Sequence, residues 1–214
     1  MAKVDMRTER SKQSRQEIMR KIMDAAVTEF SQHGFQGAST QAIAERAQLK
    51  KSQLHYYIED KEALYSQVLG KVLESWRSFF ILDADSASSS PRAALSEFVR
   101  VKLAYALEHP QLSRIFTMEV LSGGARLEAY WPGSIEATLA KVAVIDGWVE
   151  QGALRKLDGR LLIMHIWALT QYYSDYTLQA ELLLESSLTE PQVRQKIEQE
   201  LIDFVLLGAG LSAD

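Results

Sequence analysis

Apolar residues recur along this chain at the three- and four-residue spacing of a helical face, in one segment after another. Ile18, Ile22, Ala25, Ala26 and Phe30 form the first such face. Ser14 with Glu17 makes a capping box at its start, and His33-Gly34 supplies its end, with Phe35 expected to pack back on the helix. Ser39 can cap a second, short helix whose inner residues are Ile43, Ala44 and Ala47, small enough to let another helix cross closely. After a break at Gln48-Leu49, a third runs from Lys51 to Tyr57 with Leu49, Leu54 and Ile58 inward. Asp60 can cap a fourth, which presents Leu64, Val68, Leu69, Val72, Leu73 and Trp76 and is broken by Ser86-Ala87-Ser88-Ser89-Ser90-Pro91. Further helices are predicted over 91–107, 110–122, 126–152, 158–185 and 189–207. No alternating run or hairpin dipeptide points to a strand. The expectation is an all-α protein of about nine helices: an N-terminal three-helix bundle with a helix-turn-helix, then a larger helical domain. Boundaries are expected at 1–13 for a flexible basic arm, 14–62 for the small bundle and 63–214 for the rest.

Composition sharpens this picture. No apolar run reaches the roughly 18 residues of a membrane span, and the start Met1 to Arg7 lacks the apolar centre of a signal peptide, so a cytoplasmic protein with no membrane partner is expected. Cysteine is absent, which excludes disulfides and thiolate chemistry, and His33, His55, His109 and His165 stand far apart. No metal and no cofactor are expected. The net charge of −4 is uneven: residues 1–61 hold 11 basic against 8 acidic residues, the remainder 13 against 20. A basic part facing nucleic acid is thereby joined to an acidic part with another task. Neither a nucleophile elbow, nor a phosphate-cradling glycine loop, nor paired carboxylates are present, so a small-molecule enzyme is the minor alternative.

Residues Ser39 to Lys61 carry the chemistry of a helix-turn-helix reading a DNA major groove: two short helices, a tight polar break, and hydroxyls, amides, lysines and aromatics left over on the outer side. Together with the preceding helix, this stretch resembles the DNA-binding domain of the TetR family of bacterial transcriptional regulators. The resemblance rests on Gly34-Phe35-Gln36-Gly37-Ala38-Ser39-Thr40, Ile43-Ala44, Leu54-His55-Tyr56-Tyr57-Ile58 and Lys61-Glu62-Ala63-Leu64. It implies phosphate contacts from Ser39, Thr40 and Lys61, and base-edge candidates in Gln41, Lys51, Ser52, Gln53 and Tyr56, where an amide can bridge adenine. His55 stands where the family has a tyrosine and should still reach the backbone; Tyr57 is a DNA contact or a core aromatic. Lys50 replaces a small hydroxyl residue and adds charge where DNA would lie. Gln48 replaces the glycine usual in the turn and must take its geometry at a steric cost.

The later chain resembles a narrower group, the pyrimidine-utilisation regulators of that family. Lys102-Leu103, Phe116 to Gly123, Ile145-Asp146-Gly147-Trp148-Val149, Gly152-Ala153-Leu154 and especially Ile166-Trp167-Ala168-Leu169-Thr170-Gln171-Tyr172-Tyr173-Ser174-Asp175 carry it. What it implies is a ligand-responsive regulator, a repressor released from double-stranded operator DNA by a small planar polar effector such as a pyrimidine. Candidate ligand residues are Trp76, Tyr105, Trp167, Gln171, Tyr172 and Asp175; Trp167 and Gln171 lie one turn apart on one face. A sensor of multidrug or hydrophobic ligands is the alternative, with Asp175 and Glu119 able to meet a cation. One reading helix is a small interface, so a homodimer on a palindrome is expected. The last two predicted helices would form it through Ile163, Ile166, Thr170, Tyr173 and Thr177 on one and Val193, Ile197, Leu201, Phe204 and Val205 on the other.

Overall fold

The computed structural model describes residues 2–79 and 90–212, with side chains over 13–76 and 90–212. Most of the serine-rich break at 86–90 lies outside them. Ten α-helices and no strand occur among the described residues: α1 (Ala2–Gly37), α2 (Thr40–Arg46), α3 (Lys51–Tyr57), α4 (Lys61–Phe79), α5 (Pro91–Glu108), α6 (Pro110–Leu121), α7 (Trp131–Glu150), α8 (Gly159–Asp175), α9 (Thr177–Leu184) and α10 (Pro191–Gly208). The fold is all-α, as the apolar spacing predicts. α1 runs from Ala2, ahead of the Ser14–Glu17 box, through a stretch that holds neither proline nor glycine.

Residues 1–72 and 115–127 make one compact unit and residues 73–114 and 128–214 the other. α4 and α6 therefore each supply residues to both. In the first unit, Ile22, Ala26 and Phe30 of α1 close on Ile43 and Ala44 of α2, Leu54 of α3 and Leu64, Val68 and Leu69 of α4, all without exposed surface. Ser39 caps α2 from an extended backbone, its Oγ accepting the Ala42 N–H at 3.0 Å. Gly34, at φ 63°, kinks α1 and lets the chain run on to Gly37. Phe35 then packs against Tyr65 of α4, with ring centroids 5.1 Å apart. The Phe30 ring of α1 meets the same tyrosine edge-on at 4.8 Å.

The second unit has its core around α5, which packs on α8 and α10, while α7 and α9 pack on α8. α7 and α8 approach at Gly159, where a Cβ would stand 2.7 Å from Asp146 Oδ1. Two predicted helices are divided. The stretch from 126 begins as a single 3₁₀ turn, Ala125–Leu127, and α7 starts only at Trp131, because Pro132 is tolerated in a first turn but not further in. The 158–185 stretch breaks at Tyr176 (φ −113°, ψ 34°). There the Ser174 and Thr177 hydroxyls donate back to the carbonyls of Gln171 and of Tyr173 and Ser174, a competition that bends helices.

Ile163, Ile166, Thr170, Ile197, Leu201 and Val205, expected at a dimer surface, are buried within the single chain. Their stripes face α5 and each other, so the expectation for these residues is corrected. The apolar residues that α8 and α10 leave exposed are Leu161, Met164, Trp167, Phe204 and Leu207.

The turn between α2 and α3 is built as a left-handed closure. Leu49 N–H bonds Ala44 O at 2.9 Å and Gln48 N–H bonds Glu45 O at 3.0 Å, which requires φ 59° at Gln48. A side chain there costs about 1 kcal/mol relative to glycine, partly offset by the greater freedom glycine gives the unfolded chain. Gln48→Gly is expected to raise the melting temperature by roughly 2 °C. A lower one in a thermal scan would mean that the Gln48 side chain contributes more than the strain takes away.

Candidate nucleic-acid interface and effector site

Leu54 is fully buried and fixes α3 by its inner side, which leaves Lys50, Lys51, Ser52, Gln53, His55 and Tyr56 exposed together. Tyr56 is 74% exposed and meets half-buried Tyr57 edge-on at 5.2 Å. α2 is set against α1 by Glu29, 4% exposed, which accepts Arg46 Nε at 3.2 Å and the Ser39 N–H at 3.4 Å. One carboxylate thus holds both ends of α2, Arg46 in its last turn and Ser39, beside Thr40, at its start.

The two glutamines are not interchangeable. Gln53 Oε1 accepts the Lys50 N–H at 2.8 Å, the backbone leg of a capping box, so its oxygen points back into the helix start and its NH₂ group is what faces outward. Gln41 is the reverse: its Nε2 donates to Glu45 Oε1 at 2.6 Å and its oxygen is left to accept. Each keeps a second lone pair and at least one further N–H, so a paired donor and acceptor for adenine remains open to both.

Lys61 has an inward task. Its Nζ donates to Phe35 O at 2.8 Å and Ala38 O at 3.0 Å and stands 4.5 Å from the Phe35 ring centroid. Two of three ammonium protons close the carbonyl ends after the α1 kink.

Around the same ring lies a cluster that sequence reasoning missed. Glu119, 3% exposed, accepts the Arg126 backbone N–H at 3.1 Å and pairs with its Nη1 at 3.6 Å. Arg126 Nε donates to Glu62 at 2.6 Å, and its guanidinium lies 3.7 Å over Phe35. Burial, then the Glu119 carboxylate that accepts its hydroxyl, push Tyr65 above its usual range. Glu119 is therefore committed here and cannot meet a cationic ligand. An acidic residue within the apolar run Phe116 to Leu121 was the available signal.

In the second unit, two of the ligand candidates, Trp76 and Trp167, lie near a residue that was not among them, Lys102. Trp76 meets Tyr105 edge-on at 6.3 Å. Lys102 Nζ stands 4.9 Å from the Trp76 ring and 5.9 Å from Trp167. Lys102 is buried, and that burial, aided by repulsion from Lys141, pushes its ammonium down to about 7. Its signal was legible: Leu95, Phe98, Val99, Lys102, Leu103 and Ala106 keep helical spacing, and the lysine occupies an inward position. Gln171 and Asp175 follow Trp167 along one face of α8, with Gln171 Nε2 donating to Asp175 Oδ1 at 3.1 Å. Tyr172 turns elsewhere, donating to Gln179 Oε1 at 2.9 Å and stacking on Tyr176 at 5.2 Å.

Comparison with known proteins agrees with both family resemblances. Residues 22–68 match the family profile for bacterial regulatory proteins of the tetR family, and residues 69–212 that for the C-terminal region of YcdC-like proteins. The chain is 40% identical over 170 residues, 79% of each chain, to the HTH-type transcriptional regulator RutR of Escherichia coli strain K12. Among solved structures it is similar to HlyIIR, a hemolysin II transcriptional regulator (TM-score 0.66, 22% identity, 91% of this chain and 98% of that one). It is also similar to AibR in complex with isovaleryl coenzyme A and operator DNA (TM-score 0.66, 14% identity, 87% and 97%). At such identities the two structures bear on the fold alone.

Arg126→Ala leaves the buried Glu119 carboxylate without its cation and is expected to cost about 2 kcal/mol, a figure reduced from that of a fully buried pair because Arg126 is partly exposed. Glu62→Gln, on the 56% exposed partner, is expected to cost under about 0.5 kcal/mol. Chemical denaturation of the two variants checks the order; equal losses would place the energy in the Glu62 pair.

Proposed function

Because the chain belongs to the TetR family of bacterial transcriptional regulators, we propose that it is an effector-released repressor that grips a palindromic operator as a homodimer. Its relatives are regulators and not enzymes. The carrying observation is the outer face of α3: two lysines, a serine, an amide and a 74% exposed tyrosine on a helix anchored by fully buried Leu54. Residues 14–62 would be the reading head and 63–214 the sensing and dimerising part, with 1–13 a basic arm. Among the described residues no helix is long and apolar enough to cross a membrane.

On this reading Lys50, Lys51, His55 and the hydroxyls of Ser39 and Thr40 meet phosphates, while Gln41, Ser52, Gln53 and Tyr56 read base edges. Lys61 adds its positive charge from behind. Leu161 and Met164 of α8 with Phe204 and Leu207 of α10, exposed in the single chain, support an outer dimer face on the last helices. The effector is a small planar polar molecule such as a pyrimidine, set against Trp76, Tyr105 and Trp167 with Gln171 and Asp175 beside them. A buried lysine among these rings speaks against a purely hydrophobic ligand. Trp76 stands on the same helix as Lys61 to Val72, so a ligand that moves α4 acts on the reading unit through one continuous element.

A nuclease footprint of the purified protein on its own promoter is expected to cover two half-sites related by a dyad; a single half-site would remove the dimer. Selection from a randomised operator reads the polarity of Gln53. Gln53→Glu keeps the capping oxygen and removes the donor. Preference at one base pair is expected to move from guanine or thymine to cytosine, whose amino group a carboxylate accepts. An unchanged sequence preference would take Gln53 out of base reading.

A further inference from the structure

Glu29 stands where α1 should carry an apolar residue. Ile22, Ala25 and Ala26 share its side of the helix, Phe30 follows it, and all of them are buried, as Glu29 itself is. A methionine would fill the place without shutting in a charge, and a carboxylate is tolerated there only when donors are aimed at it. Both of its donors come from α2. Oε1 accepts the Ser39 N–H at 3.4 Å and Oε2 the Arg46 Nε at 3.2 Å, while Arg46 Nη2 donates to Gln32 Oε1, one turn further along α1, at 3.0 Å. α2 has seven residues and buries Ile43 and Ala44. So small an apolar face sets the helix weakly on α1, and the carboxylate fixes its start and its end.

At Ser39 the N–H goes to Glu29, the carbonyl accepts the Ile43 N–H at 3.1 Å, and Oγ accepts the Ala42 N–H at 3.0 Å. The hydroxyl proton is left to donate, from an exposed residue. We infer that Glu29 is the positioning residue of the phosphate contact made by α2. By holding the Ser39 amide from inside, it aims the Ser39 hydroxyl at one operator phosphate without touching DNA itself. Arg46 is its counter-ion, so the anion behind Ser39 is matched by a cation and does not repel the phosphate. The inference rests on the DNA-reading role proposed above and narrows it.

The test pairs protein variants with single-phosphate changes in the site that the protein footprints on its own promoter. Methylphosphonate removes one phosphate charge at a time, symmetrically in both half-sites. Full-length wild type, Ser39→Gly, Glu29→Met and Glu29→Gln are titrated on each duplex by fluorescence anisotropy; glycine is chosen at 39 because it is a tolerated cap. The Ser39 phosphate is the one whose replacement costs wild type about 10-fold or more and Ser39→Gly under about twofold. There Glu29→Met is expected to behave like Ser39→Gly, weaker by roughly 10- to 30-fold on the unmodified duplex and insensitive to the replacement. Glu29→Gln keeps an oxygen for the Ser39 N–H and should keep most of the sensitivity. Glu29→Ala should lose it as the methionine variant does, and keeps the test open should that variant fold poorly. An equal loss from Glu29→Met on both duplexes, or none, would make Glu29 a packing residue and overturn the inference. A loss from Glu29→Gln as large as that from Glu29→Met would overturn it too, by placing the effect in the ion pair. If wild type binds but no phosphate depends on Ser39, the Ser39 contact falls and this role with it; if wild type leaves no footprint, the DNA-reading role itself falls.

Discussion

The reading unit depends on the carboxylate of Glu119. It is only 3% exposed, a burial at which an isolated charge would be costly. What keeps it there is a set of three donors from two residues: the Arg126 backbone and guanidinium, and the Tyr65 hydroxyl. Arg126 in turn reaches Glu62 and covers Phe35, and Phe35 is where the Lys61 ammonium also lies. The kink after α1, the start of α4 and the 115–127 segment are thus tied at one aromatic ring. The α2–α3 pair that would meet DNA is set on this base through Glu29, Arg46 and Leu54.

Local features were legible because they are written in neighbouring residues. The apolar faces of α1 to α4, the Ser39 cap and the strained turn at Gln48 need only spacing and side-chain type. Helix ends set by side-chain competition, such as the break at Tyr176, were not, since no proline or glycine marks them. Long-range pairings were not legible either: nothing near Glu119 in sequence names Tyr65 as its partner. The apolar stripes of α8 and α10 show the ambiguity most clearly. Ile166 and Leu201 would look the same in a dimer interface as in a monomer core, and packing on α5 decides for the core.

Glu119 and Lys102 illustrate one physical rule with two outcomes. The carboxylate is buried with cationic and hydroxyl donors around it, and this gives a fixed point in the reading unit. The ammonium is buried near two indole faces and pushed down to about 7 by burial and by Lys141. On the α2–α3 side, one lone pair of the Gln53 oxygen serves the α3 cap at 2.8 Å, and its NH₂ group is left to donate.

The central claim is that one chain both reads DNA and is released from it by a planar effector. Fluorescence anisotropy of a labelled operator, titrated with protein in the presence and absence of a saturating heterocycle at fixed salt, tests it most directly. The account predicts an operator affinity lowered by about 5- to 100-fold when the effector is bound. An operator affinity unchanged by a ligand that demonstrably occupies the protein would contradict it.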